Sequence, residues 1–486
     1  MNTELLKLYP HDLWENFGHL CDAPHPSKHE ELAIKWMKQW AADHKVQVEQ
    51  DETGNLLFTV PATPGMENRT PVILQAHTDM VPQADSDKKH DFLKDPIEPI
   101  IDNGWVRANR TTLGADDGIG VCAALACVTT EGVEHGPLEI LVTIDEETGM
   151  TGAFGLKKGF VKGKILINLD SETEGEIFVG CAGGLDANFD RTYTTMPTPA
   201  AMKGYQMNVS GLHGGHSGMD INLGRGNANK IAVRFITRAI KQFGACLASS
   251  TGGSLRNAIP REASAVLAVP AAKASEFEAF AHTFEQTVKN EFAATEKDMA
   301  VKITAVDTPK EVIETKAQNQ FLNMLFAIPN GVLRMSDSME NLVETSNNLA
   351  AFKAEDGKMS AICLLRSSVN SAKDALGDRM TAIAELADCH IELTGAYPGW
   401  NPNMESPILN ICRKVYVEKF NQQPKIMAIH AGLECGLFGA CYPDWDMVSF
   451  GPTIQHPHSP VERVNIESVG KFFDFIVAVL KNIPAK

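Results

Sequence analysis

Three short apolar runs early in the chain each stop at an acid or an imidazole. PVILQA at 71–76 runs into His77 and Asp79, LEILVTI at 138–144 into Glu146 and Glu147, and KILINL at 164–169 into Asp170. Runs of this length, rich in Val, Ile and Leu, have the make-up of buried strands. Between the first two lies GIGVCAALACVTTEG, a helix-like stretch closed by Gly132. Strands alternating with helices predict an α/β layer with parallel pairing. In such a sheet ligands gather outside the carboxyl ends of the strands, so these polar residues are expected to converge. NLLFTV at 55–60 adds a further strand. Ahead of it, Ser27 and Glu30 have capping-box spacing before HEELAIKWMKQWAAD. Leu32, Trp36 and Trp40, four apart, predict an amphipathic helix with these on its buried face and Ala33, Met37 and Ala41 beside them.

At 486 residues the chain has room for two to four domains. Its 44 Lys+Arg against 61 Asp+Glu leave a net charge of −17, and no Lys/Arg-rich run stands out. Phosphate binding depends on clustered cations, so nucleic acid and anionic membranes are excluded as expected partners. No apolar run approaches the roughly 20 residues that span a bilayer. The N-terminal MNTELLKLYPHDLWENFGHL lacks a signal-peptide core, which predicts a cytoplasmic protein. The 10 cysteines include no Cys-x-x-Cys and read as reduced, mostly buried thiols.

After about residue 183 the pattern changes. YQMNVSG, NANKIAVRFITRAIKQF, ACLASST, EASAVLAVP, SEFEAFAHTFEQTVKNEF and AVKITAV read in order as βαββαβ, a ferredoxin-like unit. A less regular second round follows: a helix near 315–327, strands near 341–353 and 358–366, a helix near 371–387 and a strand at 389–395. AYPGWNPNMESP at 396–407 reads as a linker. Beyond it the α/β style returns, with a helix at PILNICRKVYVEKF, strands near 425–430 and 446–450, and a final helix at SVGKFFDFIVAVLKNI. The simplest architecture is discontinuous: residues 1–183 and 400–486 form one α/β domain, and 184–399 is inserted as a second. Three serial domains are the alternative.

Two more motifs carry chemistry. LGADDG places Asp116 and Asp117 at a helix start, and GPTIQHPHSPVE carries His456 and His458. Singly these are ordinary, since Asp-Asp-Gly is commonly a turn or a cap and Glu-Glu at a strand end commonly faces water. Together they form a nitrogen and oxygen donor set suited to borderline divalent cations such as Zn²⁺. One carboxylate can bridge two such ions about 3.5–4 Å apart.

HTDMVP, LGADDGIG, DEETGMTGA, NLDSE, GLHGGHSGMDI, GRGNANK, HAGLECG and PHSPVE occur in this order. On these motifs the whole chain resembles the co-catalytic zinc metallopeptidases, the family that includes aminoacylase, peptidase T, carnosinase and the glutamate carboxypeptidases. Within it the resemblance is to the bacterial Xaa-His dipeptidases. The resemblance implies a catalytic domain with a mixed sheet flanked by helices, and an α+β lid of ferredoxin-like units. It implies two divalent metal ions, zinc first, with cobalt or manganese also fitting. Asp116 would bridge them, His77 and Asp170 would complete one site, and Glu147 and His458 the other. His458 is preferred to His456 because it occupies the His-Ser-Pro-x-Glu position. Asp79 would hydrogen-bond the His77 ring, Glu146 would be the general base, and the Asp116–Asp117 peptide would be cis. A water between two cations is acidified enough to attack as hydroxide near neutral pH.

For the insert, the resemblance gives His216 in GLHGGHSG to the oxyanion, while His213 reads as a surface imidazole. It gives Asn257 and Arg366 to the substrate carboxylate; a solvated edge position is the plain alternative for Arg366. Gly432 and Glu434 of HAGLECG would return to the metal domain near the substrate, Glu434 facing its ammonium. The implied reaction is hydrolysis of unblocked dipeptides, notably Xaa-His, by a homodimer. An insert of about 216 residues leaves room for two lid units, which would let a chain supply its own His216. An N-acyl-amino-acid deacylase or a tripeptidase is the alternative within the family. Aspartate at position 170 favours the dipeptidase by analogy with family branches. A non-catalytic metal- or peptide-binding protein is the alternative outside it.

Overall fold

The structure, a computed structural model, describes residues 2–486. The chain divides into two compact units. One holds the residues up to Gly180 with Pro402–Ala428 and Leu433–Lys486; the other holds Cys181–Asn401 and Ile429–Gly432.

The first unit is built on an eight-stranded sheet. In spatial order its strands are Gln47–Gln50, Leu56–Val60, Leu138–Thr143, Val72–His77, Ile165–Asn168, Asp446–Ser449, Glu176–Cys181 and Lys425–Ile429. The four middle strands, from Leu138–Thr143 to Asp446–Ser449, pair in parallel. The chain leaves Val72–His77, forms the next strand on one side and the following one on the other, so the strand order reverses around His77. That reversal opens the crevice where α/β sheets bind ligands. The crossover helix Ala115–Thr129 is buried along most of its length, as an almost uniformly apolar helix must be. It packs on Val72–His77 and on the helix His11–Cys21. Gly118 permits that approach: a Cβ there would stand 2.9 Å from Leu20 and 3.4 Å from Phe17.

Two local expectations need correction. Ser27 and Glu30 do not form a capping box. Glu30 is itself the N-cap of the helix Glu31–Asp43 and makes no side-chain cap bond, while the Ser27 hydroxyl donates to Asp79 at 2.7 Å. The buried face of that helix is Ala33, Met37, Trp40 and Ala41. Leu32 is 46 % exposed, so the stripe is rotated by one residue from the expected one. The helix His11–Cys21 was missed, although Leu13, Trp14, Phe17 and Leu20 have the right spacing and are buried.

The second unit carries a nine-stranded sheet whose recorded pairings are antiparallel. Met202–Ser210, Cys246–Gly252, Ala263–Pro270 and Ala300–Val306, with helices Ala228–Phe243 and Ala274–Glu291, form the expected βαββαβ unit. Its strands lie in spatial order fourth, first, third, second. The second round repeats that order with Gly183–Thr192, Val343–Glu355, Lys358–Ser367 and His390–Tyr397 as its four strands. Its first strand, Gly183–Thr192, precedes the whole of the first unit. The lid is therefore two ferredoxin-like units, one nested inside the other and joined where Cys246–Gly252 pairs with Val343–Glu355. The core packs helices on the sheet: Phe277 is fully buried, with the Tyr205, Phe235 and Phe243 rings 5.1, 5.9 and 5.8 Å away. No disulfide joins any cysteines among the described residues.

Candidate metal centre

The ends of three of the parallel strands, the start of the crossover helix and the loop after Ile454–Gln455 supply one cluster. His77 ends its strand and is 1 % exposed. Its Nδ1–H donates to the Asp79 carbonyl at 3.1 Å, which leaves the Nε2 lone pair facing inward. Nε2 lies 3.3 Å from Asp116 Oδ1 and 3.4 Å from Asp170 Oδ1. The other Asp116 oxygen, Oδ2, lies 3.2 Å from His458 Nε2, which in turn is 2.8 Å from Glu147 Oε1. Asp116 thus presents one oxygen to each of two groups, His77 with Asp170 and Glu147 with His458, and each set of three donors is compact enough to hold a metal ion. Glu146 groups with His77 and Glu147. The Asp116–Asp117 peptide is cis. His456 is exposed and joins no donor group among the described residues.

The electrostatics fit divalent cations. Burial raises Glu146, Glu147 and Asp170 above the ordinary carboxylate range, Asp170 to about 7, and neighbouring carboxylates add to it. Hydrogen bonds donated to Asp116 and Glu147 hold His458 up at about 11. Asp116 is well below its ordinary value: burial opposes ionisation, but the His458 and His77 rings outweigh it. A buried crowd of like charges around two imidazole nitrogens is what dications would relieve.

The supports of this cluster are partly as expected. Asp79 Oδ1 is 3.5 Å from His77 Nδ1. Its stronger bonds are accepted elsewhere, from the amides of Glu146 (2.9 Å) and Glu147 (3.2 Å) and from Ser27. Asp79 therefore holds the turn that aims both glutamates. Glu462 was missed as a supporting residue. Its carboxylate accepts from the amides of Leu113 and Ala115 at 2.8 Å, with Gly114 and Asp116 at 3.3 and 3.4 Å. It ties the loop carrying His458 to the loop carrying Asp116, and its place four residues after His458 was the available signal. Beneath the cluster, Glu434 is fully buried. Its Oε2 accepts from Gln75 (2.6 Å) and Thr143 (2.7 Å), while Oε1 has no partner among the described residues. Burial lifts this carboxyl to about 7.

The remaining predicted residues lie in the second unit. Gly432 groups there and not with the metal cluster, two residues before Glu434. His216 Nδ1 accepts from the amides of Gly218 (3.2 Å) and Met219 (3.1 Å), which places the ring proton on Nε2. Burial and the Arg366 guanidinium keep this ring below the usual imidazole value, so it is a neutral donor. Asn257 is exposed and adjoins it, its carbonyl accepting from Ser217 at 2.8 Å. His213 pairs with Glu296 at 3.0 Å. Arg366 is not a solvated edge residue: it lies on an interior strand, 5 % exposed, and its Nε has no partner among the described residues.

A carboxylate shared between two His-and-acid sets, with a further glutamate alongside, at the strand ends of an α/β sheet defines the donor arrangement of a dinuclear metallohydrolase. The chain belongs to peptidase family M20/M25/M40, whose sequence model matches residues 73–482. It is 47% identical over 484 residues, covering 100% of both chains, to the cytosol non-specific dipeptidase of Escherichia coli (strain K12). The crystal structure of aminoacylhistidine dipeptidase from Vibrio alginolyticus superposes with a TM-score of 0.94 at 47% identity, covering 100% of this chain and 99% of that one. Aminopeptidase PepT from Bacillus cereus shares the fold, with a TM-score of 0.58 at 17% identity over 98% of this chain and 99% of that one. Among the described residues, no helix is long and apolar enough to cross a membrane.

Proposed function

We propose that this chain is a cytoplasmic, homodimeric metallo-dipeptidase that hydrolyses unblocked dipeptides, Xaa-His among them. The observation that carries the reading is Asp116, with one oxygen directed to His77 and Asp170 and the other to Glu147 and His458. The full-length likeness to two dipeptidases supports the substrate class. His77, Asp116 and Asp170 would hold one divalent cation, and Asp116, Glu147 and His458 a second, with zinc first for a mixed nitrogen and oxygen set. Bound there, the pair would polarise the scissile carbonyl and acidify the attacking water.

The chain's own residues supply the rest. Glu146, which stands beside His77 and Glu147 and is lifted by burial, takes the proton from the attacking water and passes it to the leaving amine. Asp79 keeps Glu146 in place through its amide. His216 donates its Nε2–H to the oxyanion of the tetrahedral intermediate. Arg366, with Asn257, receives the free carboxylate, and Gly432 contacts the substrate through its backbone. The unpartnered Oε1 of Glu434 receives the ammonium, which selects for an unblocked amine.

The test is hydrolysis of Ala-His, carnosine, a tripeptide and an N-acetyl amino acid, after chelation and again after zinc, cobalt or manganese is restored. Metal-dependent cleavage confined mainly to free dipeptides is expected. Preferential deacetylation or tripeptide cleavage would transfer the chain to the deacylase or tripeptidase reading. Two bound metals without turnover would make it a binding protein.

A further inference from the structure

Arg366 is set up unusually for a buried cation. It is 5 % exposed, and its Nε has no hydrogen-bond partner among the described residues. Its recorded side-chain hydrogen bond runs from Nη1 to the hydroxyl oxygen of Tyr397, at 3.2 Å. The Asp186 carboxylate lies within electrostatic reach of it but is itself ion-paired with Arg256, and a buried guanidinium with an unbonded Nε–H is costly unless an acceptor completes it.

The sheet explains how the phenol gets there. Arg366, Gly184 and Tyr397 are register partners on three consecutive strands, Arg366 opposite Gly184 and Gly184 opposite Tyr397. Residues in register put their side chains on the same face. Tyr397 is one strand too far to meet Arg366 directly and must cross the position between them. Glycine leaves that position empty: a Cβ on Gly184 would stand 2.7 Å from the Tyr397 hydroxyl oxygen and closer still to its ring carbons. The register shift between Thr394 and Tyr397 sets where the ring leaves its strand. The backbone there is pinned by Lys373, 5 % exposed, whose Nζ donates to the Tyr397 carbonyl at 2.5 Å.

We propose that Tyr397, seated over Gly184, is a positioning residue that orients the Arg366 fork so that its Nε edge is presented to the carboxylate of the dipeptide. This rests on the reading of Arg366 as the carboxylate anchor. Tyr397 itself touches no substrate; its hydroxyl occupies one corner of the guanidinium and thereby selects which edge stays open. A bidentate Arg–carboxylate pair depends on that orientation as much as on the charge.

The experiment compares Ala-His with its C-terminal amide, which lacks the carboxylate, on wild type, Tyr397→Phe and Arg366→Lys. Phenylalanine keeps the ring and removes only the hydroxyl. For Tyr397→Phe, KM for the free dipeptide should rise about 10-fold with kcat within about 2-fold, while KM for the amide stays unchanged. Gly184→Ala should reproduce this split by displacing the ring. A KM rise of equal size on acid and amide, or no rise on either, overturns the proposal while Arg366→Lys still loses its preference for the acid. If Arg366→Lys keeps the full preference for the acid over the amide, the anchor reading fails and the proposal falls with it.

Discussion

Glu146 and Glu147 are neighbours in sequence, yet the structure gives them different surroundings. Glu147 faces His458, whereas Glu146 stands beside His77 with no imidazole bonded to it. In the proposed function Glu147 holds a cation and Glu146 moves a proton. Glu146→Ala should retain both metals, read by elemental analysis, while kcat falls about 10²- to 10⁴-fold. Near-normal turnover would remove the base assignment. Glu462 acts one step further out, through the four amides of the Asp116 loop. Glutamine there would bring an NH₂ against amides that need an acceptor, so Glu462→Gln should weaken metal binding about 10- to 100-fold. Competition with a chelating dye measures it, and unaltered affinity would mean that the loop stands without this clamp. Most of the proposed ligands were legible because they end an apolar run or open a helix, whereas His458 lies in a loop and rested on the resemblance. Glu462 was not legible, because its partners are backbone amides more than 340 positions away in sequence.

Elements with strong local pattern fell where the sequence placed them. The helix Pro407–Phe420 begins behind Ser406, whose hydroxyl accepts from the Leu409 amide as a cap, and Pro at its first position suits a helix start. Gly183–Thr192 was missed as the opening strand of the second lid round because its partners, Lys358–Ser367 and His390–Tyr397, come more than 160 residues later. The lid helices are held by aromatic packing, and this gives a prediction at the same scale. Phe277→Ala removes a fully buried ring from among Tyr205, Phe235 and Phe243. It should cost about 3–5 kcal/mol in urea unfolding. A loss below about 1 kcal/mol would show that the helix closes over the gap.

For the whole molecule, the nested duplication bears on how the active assembly is composed. In the proposed function, an insert of two ferredoxin-like units gives a chain the length to supply its own His216. Mixing His216→Ala with Glu146→Ala chains and allowing subunit exchange should therefore leave the mixture inactive. Recovery of activity would mean that His216 serves the partner's site. By itself the sequence determined which acids and imidazoles come together, most of them at strand ends. A buried strand and its polar stop are local, written within about ten consecutive residues. Only the tertiary structure decided how those residues divide: which Asp116 oxygen meets which imidazole, that Asp79 holds amides more closely than the His77 ring, and that Arg366 is buried beneath the reach of Tyr397. Those outcomes depend on register between strands distant in sequence, and on space left by residues such as Gly184, which no local pattern encodes.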